Sequence, residues 1–468
     1  MTGSRCTIVF LPGLGLDRTA AGSVMNSLDE RFDLVVVELP GHGDAPDAGD
    51  GSVASQVDSA IAAIESKVDG GPWMLCAHSM GGKVAAGIAA RVRDGHAPLF
   101  GLMGAVLLAP SPPTPEPMPD SKRDQMLAWV DGGRIAEADA HTFVDDNVGA
   151  TLPGVVQEAV VRSVRAMSPV AWRRWLEQGS TEDISSEVGI LDLPCTVLGG
   201  DQDELLGAEA QPGLISNVYP RARFVALPGA GHLLSYERPS EVARAISELW
   251  GEISTHSALV PPEWGLVIAS QRTSPKVRSA LARRALPDDP QYRPRVLSAA
   301  HLDLLRHIAD RLVPQPDGGR IDLAARVDTD LATGGGDGWR PAGALSDVEA
   351  YQAGLDALAT AWPENPDEQD ALIRGIMDGC GVVGSALTAD EMRRWFEDVR
   401  VDVIREWLTH PASLARVGYD GFATGAEDVD FAGYRDLAAG ARDEWEPSDL
   451  GVSSTPDLIV GATEEDAA

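Results

Sequence analysis

The chain predicts an α/β architecture, a mainly parallel sheet under a helical cap, followed by an all-α C-terminal domain. Three observations predict it. From residue 5 to about 253, short β-rich apolar runs alternate with helical patterns, the signature of parallel strands joined by crossover helices. An insertion from Pro110 to Asp192 breaks that alternation with helical patterns alone, such as Val155-Val156-Gln157-Glu158-Ala159-Val160-Val161. Beyond residue 296 the strand-like runs cease and only helical periodicity remains. A chain of 468 residues is in any case too long for one ordinary domain.

In chain order, the expected strands are Thr7–Leu11, Leu34–Leu39, Trp73–Ala77, Ala105–Leu108, Thr196–Leu198 and Arg223–Leu227, all within a first domain of residues 1–253. The insertion, about 110–192, reads as a cap over the C-terminal edge of the sheet, where open α/β sheets bind their ligands. Residues 254–296 read as a linker: Pro261-Pro262, a short basic helix around Lys276–Arg284, then Pro287-Asp288-Asp289-Pro290. In the helical domain, 297–447, Leu302, Leu305, Ile308 and Leu312 share one face of a helix that Pro314 ends. Ser346-Asp347-Val348-Glu349 is a capping box opening a helix with Tyr351, Leu355, Leu358 and Trp362. Thr388-Ala389-Asp390-Glu391 opens another, with Trp395, Val399, Val403 and Trp407 inward and Pro411 at its stop. Residues 448–468 read as a disordered acidic tail.

Composition narrows the function classes. Hydrophobic content of 44% and charged content of 23% are those of a globular protein in water. A net charge of −33 argues against nucleic acid or an anionic membrane surface as partner. The four cysteines, Cys6, Cys76, Cys195 and Cys380, show no C-x-x-C spacing, and Cys76 and Cys195 fall in or directly beside expected buried strands, which points to a reduced, cytoplasmic chain. Strand-like residues follow Met1 almost at once, leaving no room for a signal peptide, and the longest apolar run, Leu102–Ala109, is too short to span a bilayer.

The chemistry centres on Leu75-Cys76-Ala77-His78-Ser79-Met80-Gly81-Gly82. An apolar strand runs into a single serine and a helix follows, so Ser79 sits at the apex of a tight turn that needs small residues on both sides. A serine before Gly-Gly can also be a simple helix cap. What favours a nucleophile is the presence of its helpers in the required chain order. The base is expected at His232, in Leu227-Pro228-Gly229-Ala230-Gly231-His232, where glycines after a strand can project an imidazole over the sheet edge; the other eight histidines read as surface or core residues. The orienting carboxylate is expected in Gly199-Gly200-Asp201-Gln202-Asp203-Glu204, where three acids compete and spacing does not choose. Two backbone N–H groups must face the developing oxyanion. One belongs to Met80, after the nucleophile, and the other to the glycine-rich loop Leu11-Pro12-Gly13-Leu14-Gly15-Leu16-Asp17.

These motifs together resemble α/β-hydrolase-fold serine hydrolases of the esterase, thioesterase and enol-lactonase type. Pro12-Gly13-Leu14-Gly15 stands where such enzymes usually have His-Gly-x-Gly, and Leu39-Pro40-Gly41-His42-Gly43 matches their Pro-Gly-His-Gly turn, with Glu38 for the usual aspartate. Ala77-His78-Ser79-Met80-Gly81 matches the nucleophile elbow, with Ala77 for its usual first glycine, and Gly231-His232 the histidine loop. The resemblance implies Ser79, Asp203 and His232 as the catalytic residues and Leu14 and Met80 as oxyanion donors. It implies a small-molecule acyl substrate, cleaved at an ester, thioester or lactone, or in a further alternative at a C–C bond by the same residues. The cap, Met118–Glu187, should set the substrate, and its Met, Trp and Val content suggests a partly apolar acyl group.

The second half offers no nucleotide, haem or metal motif. His301-Leu302-Asp303-Leu304-Leu305-Arg306-His307-Ile308-Ala309-Asp310-Arg311-Leu312-Val313-Pro314 resembles the opening of the gluconate 2-dehydrogenase subunit 3 family, small helical proteins that accompany flavin-dependent oxidoreductases. That likeness implies a flavin-dependent large subunit as partner, with FAD in the partner and no cofactor bound by this chain. Under the alternative reading, the chain is an accessory subunit and its hydrolase domain is auxiliary or inactive. Trp339, Trp362, Trp395, Trp407 and Trp445 are expected to exceed what a small core needs and to mark a partner surface.

Overall fold

The computed structural model describes residues 5–316, 319–334, 345–419 and 421. They form two compact units. The first holds the residues up to Ser254, Val260–Leu286 and the described residues from Ala415 onward; the second holds Thr255–Leu259 and Pro287–Leu414.

The first unit is built on six strands, β1 (Cys6–Leu11), β2 (Phe32–Val36), β3 (Trp73–His78), β4 (Leu102–Leu108), β5 (Cys195–Gly200) and β6 (Ala222–Leu227). They lie in the order β2-β1-β3-β4-β5-β6, and every pairing is parallel. Helices on the faces explain the sequence pattern: β3, β4 and β5 are buried at every position, so they read as continuous apolar runs, whereas the edge strands β2 and β6 are partly exposed. Between the strands lie α1 (Thr19–Met25), α2 (Val53–Glu65) and α3 (Met80–Arg93).

Two strands differ from expectation by three residues at one end, and the others by one or two. β2 runs Phe32–Val36 rather than Leu34–Leu39, because its ladder starts at Phe32 opposite Cys6 and the chain leaves the sheet at Glu38, whose carboxylate accepts from the Arg18 and Asp44 N–H groups and Pro40 has no N–H to give. β4 starts three residues early, at Leu102, with a register shift opposite Trp73 and Met74; a Cβ at Gly104 would lie 3.0 Å from Ile253 and 3.3 Å from the Met74 sulfur.

The strand order places the site. From β1 the chain steps out to β2 and then returns past β1 to β3, so the connections after β1 and β3 leave in opposite directions. The crevice at their carboxyl ends is the topological switch point, where open α/β sheets bind ligands. Leu11 and Ala77 are register partners there, which brings the loop after Leu11 beside the turn after His78.

Over this edge the insertion folds as α4 (Asp120–Ala128), α5 (Glu137–Asp146), α6 (Gly154–Ala166), α7 (Pro169–Arg174), one turn of π-helix at Trp175–Gly179 and α8 (Ser185–Val188). Much of its apolar content fills its own core: Trp172 is fully buried, with Phe143 edge-on at 5.6 Å and Trp129 at 6.1 Å. That composition therefore says less about the substrate than the sequence reading supposes. The sheet is completed by α9 (Gln211–Ile215), α10 (Leu234–Glu237) and α11 (Pro239–His256).

The stretch read as a linker is divided. Residues 260–286 belong to the first unit as α12 (Pro262–Ala269) and α13 (Pro275–Arg284). The buried Arg278 guanidinium holds them, donating to the carbonyls of Gly95, Ala97, Ile268, Ser270 and Thr273. Gly95 and Gly70 make room, since a Cβ at either would fall 2.0 to 2.3 Å from the Pro275 or Pro262 carbonyl oxygen.

The second unit contains α14 (Ala299–Leu312), α15 (Leu323–Thr333), α16 (Asp347–Ala361), α17 (Pro366–Met377), α18 (Ala389–Thr409) and most of α19 (Pro411–Arg416). Both capping boxes form, Ser346 with Glu349 and Thr388 with Glu391. Leu302, Leu305 and Ile308 are buried as their spacing requires. The buried Asp328 carboxylate gathers the N–H groups of Arg295, Val296 and Leu297 and the Tyr292 hydroxyl. Among the described residues the tryptophans do not form the exposed surplus expected of a partner surface. Trp395 is buried between Tyr351 and Phe396, and Trp362 and Trp407 are half-buried. Trp339, Trp445 and the expected tail, 448–468, lie outside the described residues. Among the described residues no helix is long and apolar enough to cross a membrane.

Because Arg278 holds the carbonyls that follow α3 as well as its own helix pair, Arg278→Ala is expected to lower the unfolding free energy of the first unit by about 3 kcal/mol. Urea denaturation followed at the tryptophans checks it, and a loss below about 1 kcal/mol would show that α12 and α13 are held by apolar packing instead.

Candidate active site

The turn between β3 and α3 sets Ser79 at φ 50°, ψ −120°, a backbone state that side chains other than glycine rarely adopt. Its surroundings over-determine that state. The Ser79 N–H donates to Leu108 O at 2.9 Å, and its carbonyl accepts from Gly82 N–H at 2.7 Å and Ser111 N–H at 2.9 Å. Ala109, beyond the end of β4, is the other non-glycine at positive φ among the described residues, and its N–H reaches Leu198 O at 2.8 Å. The strained turn is thus tied to the ends of β4 and β5.

The glycine-rich loop after β1 packs directly on this turn. A Cβ at Gly13 would meet His78 Nδ1 at 3.0 Å and the Ser79 Cβ at 3.1 Å; one at Gly81 would meet the carbonyl oxygens of Leu11 at 2.5 Å and Pro12 at 2.8 Å. Among the described residues the backbone N–H groups of Leu14 and Met80 have no acceptor. Glu38, in place of the usual aspartate, accepts from the Arg18 N–H and guanidinium and from the Asp44 N–H, and Gly43 leaves room for its longer side chain.

His232 arrives on the loop after β6. Its Nδ1–H donates to Asp203 Oδ2 at 2.6 Å, which leaves Nε2 as the free ring nitrogen. The other Asp203 oxygen accepts from the N–H groups of Leu205 and Leu206. Burial works against the Asp203 charge, but His232 and those two N–H groups outweigh it and hold the carboxyl well below the usual range. Of the competing acids, Asp201 turns away and accepts from Gly229 N–H at 2.7 Å, bracing the histidine loop, and among the described residues Glu204 makes no hydrogen bond to His232. The residue before Ser79 touches this loop too: His78 Nε2–H donates to the His232 carbonyl at 2.8 Å, with the rings 4.9 Å apart. Among the described residues the Ser79 hydroxyl and His232 Nε2 have no hydrogen-bond partner; such contacts often tighten only with substrate in place.

Some site residues carried no signal in the sequence reading. Glu237 accepts from Gly231 N–H at 3.0 Å and Gly149 N–H at 2.8 Å, and Asn147 O accepts from the N–H groups of His232 and Leu233, so the cap holds the histidine loop. Lys83, fully buried on α3 one turn past Ser79, donates to the carbonyls of Gly179 and Glu182. Burial pulls its pKa down to about 8, against the opposing pull of Glu116, Glu182 and Asp183. Glu116 is buried beside it and accepts from the Ser111 hydroxyl, and burial holds its carboxyl above the usual range. A lysine among Gly, Val and Ala in a helix looks solvent-facing by sequence; only the fold shows that α3 is covered on that side. Among the described residues no cluster of three or more His, Cys, Asp or Glu side chains could hold a metal ion.

Burial, with His232 beside it, drops the His78 pKa to about 3, so His78 is neutral in the folded chain and titrates normally when unfolded. Its contribution is therefore complete above pH 6.5 and is lost as pH falls toward 3, at about 1.4 kcal/mol per pH unit. Denaturation midpoints measured from pH 7 to 4.5 should fall for the wild type and fall less steeply, by about one proton, for His78→Gln. Equal slopes would contradict a neutral buried His78.

With this geometry in view, comparison with known proteins is informative. A profile described as the alpha/beta hydrolase family matches residues 8–245. The chain is 24% identical over 236 residues to a pimeloyl-[acyl-carrier protein] methyl ester esterase of Nitrosomonas europaea, covering 49% of this chain and 90% of that one. Among solved structures it resembles a thermophilic esterase from Thermogutta terrifontis, at 24% identity, 53% and 90% coverage and a TM-score of 0.43. It also resembles an enol-lactonase from Burkholderia xenovorans LB400, at 16% identity, 53% and 92% coverage and a TM-score of 0.44. The match spans half of the chain, from within β1 to the first turns of α11, and the chain belongs to the alpha/beta hydrolase family.

Proposed function

We propose that the first unit is a serine hydrolase acting on a small-molecule ester, thioester or lactone. The observation that carries the reading is the 2.6 Å contact of Asp203 with His232 Nδ1 on a loop that abuts the strained Ser79 turn. In this reading His232 Nε2 takes the proton as Ser79 Oγ attacks the acyl carbon, and returns it to the leaving oxygen or sulfur as the acyl-enzyme forms. Water, deprotonated by the same nitrogen, then releases the acid. The N–H groups of Leu14 and Met80 receive the oxyanion in both halves. C–C bond hydrolysis would use the same residues; what favours esters is the methyl ester named in the activity of the 24% identical relative.

For residues 297–447, docking of a flavin-dependent oxidoreductase that carries its own FAD stays a proposal. Its support is the likeness of Leu302–Pro314, and the burial of Trp395 removes part of what favoured it. A flavin chromophore that copurifies with the full chain from its native host is the expected result, and a colourless preparation counts against it.

A fluorophosphonate probe is expected to label the wild type at Ser79 and to leave a folded Ser79→Ala unlabelled. Labelling at another residue, or none, would remove the hydrolase reading. Asp203→Asn should lower kcat about ten-thousandfold by losing the carboxylate that orients His232. Asp201→Asn, which alters only a brace on Gly229, should stay within about tenfold of wild type; the reverse ranking would transfer the orienting role to Asp201.

A further inference from the structure

Both polar groups of Gly15 are held by the cap. The Gly15 N–H donates to the sulfur of Met167 at 3.2 Å, and the Gly15 carbonyl accepts from the Ser163 hydroxyl at 2.9 Å. Ser163 lies on α6 and Met167 caps its C-terminal end, and both are buried. A methionine sulfur is a weak acceptor, and a backbone N–H seldom takes one when water or a carbonyl is at hand. Gly15 is at φ +75°, and a Cβ there would lie 3.2 Å from Trp172 and 3.3 Å from Val164, so the loop and the cap meet in tight contact.

Peptide planarity makes this contact consequential. The Gly15 N–H shares a rigid plane with the Leu14 carbonyl, so Met167 fixes the peptide that follows Leu14. The Gly15 carbonyl shares a plane with the Leu16 N–H, so Ser163 fixes that one. Leu16 N–H in turn donates to Gly13 O at 3.1 Å, and Gly13 O lies in the same plane as the Leu14 N–H, pointing the opposite way. Holding Gly15 therefore sets the direction of the Leu14 N–H.

We propose that Ser163 and Met167 are positioning residues that clamp Gly15 and so aim the Leu14 N–H at the developing oxyanion, an inference that rests on the hydrolase reading above. The clamp makes oxyanion stabilisation depend on how the cap is seated. It touches no substrate atom, so its loss lowers turnover and spares ground-state binding.

The test compares wild type, Met167→Leu, Ser163→Ala and Ser163→Thr with p-nitrophenyl butanoate as substrate, together with melting midpoints and hydrogen exchange at the Gly15 amide. Met167→Leu keeps the volume and removes the acceptor; Ser163→Thr keeps the hydroxyl. A misplaced catalytic group can lose far more than tenfold in rate, so Met167→Leu and Ser163→Ala should each lower kcat roughly tenfold. KM should stay within about twofold, as expected when an interaction acts only in the transition state. Ser163→Thr should retain most of the wild-type kcat, and the Gly15 amide should exchange faster in Met167→Leu. An active wild type whose variants keep their kcat, lose kcat/KM only through a raised KM, or lose kcat in step with the melting midpoint overturns the clamp alone. A wild type that neither hydrolyses the ester nor reacts with fluorophosphonate overturns the hydrolase reading and the clamp's catalytic role together.

Discussion

Backbone packed against backbone, with no β-carbon between, is the constraint on which the site depends. At Gly81 an added Cβ would fall 2.5 Å from Leu11 O, and at Gly82 2.4 Å from the Pro110 Cβ. Those two positions let the start of α3 lie against the chain leaving β1 and β4, and Ser79 is forced to positive φ between them. A non-glycine residue in such a state costs of order 1–3 kcal/mol and persists only where its neighbours leave no alternative. The same device recurs beneath the histidine. A Cβ at Gly200 would lie 2.1 Å from Gly231 O, and one at Gly231 2.5 Å from Gly149 N, so the end of β5, the histidine loop and the cap stack as three bare backbones.

Close packing of this kind excludes water, and that changes the behaviour of charge. Asp203 keeps its proton off because His232 and two N–H groups compensate its burial, whereas His78, with one carbonyl to donate to, stays neutral. Lys83 is stabilised by two carbonyls near the end of the π-helical turn, where the partial negative charge of a helix terminus favours a cation. The acidic net charge of the chain plays no visible part here; each of these groups answers to neighbours within a few ångströms.

The sequence made the sheet, the Ser79 turn and the histidine loop legible for an identifiable reason. Each is a short-range pattern, an apolar run followed by glycine and one polar residue, and local sterics demand that pattern wherever it occurs. The choice among Asp201, Asp203 and Glu204 was open by spacing because all three lie in one turn. It depends on which carboxylate meets His232, a contact 29 residues away in the chain. Lys83, Glu116, Glu237 and the Met167–Gly15 contact were illegible for the same reason: each is defined by an element distant in sequence, and its own neighbours look ordinary. The edges of β2 and β4 shifted because ladder ends are set by the partner strand. Residues 260–286 read as a linker because proline density marks a boundary equally well when the intervening helices are held by a buried arginine.

The cap is usually thought of as the part of such a fold that selects the substrate, but here its bonds extend to three loops of the proposed machinery. Ser163 and Met167 hold Gly15 on the loop after β1. Ser111, at the root of the insertion, donates its N–H to the Ser79 carbonyl. Asn147 receives the His232 and Leu233 N–H groups, and Gly149 shares the Glu237 carboxylate with Gly231. Each contact involves backbone atoms of the loop it holds, so each fixes the path of the chain more than any one side chain. A cap bonded in this way cannot shift as a body without moving the loop after β1 and the histidine loop with it. In the proposed hydrolase, substrate fit and catalytic geometry are therefore mechanically linked, and a change in the cap that only enlarges its apolar core would be transmitted to turnover as well as to binding.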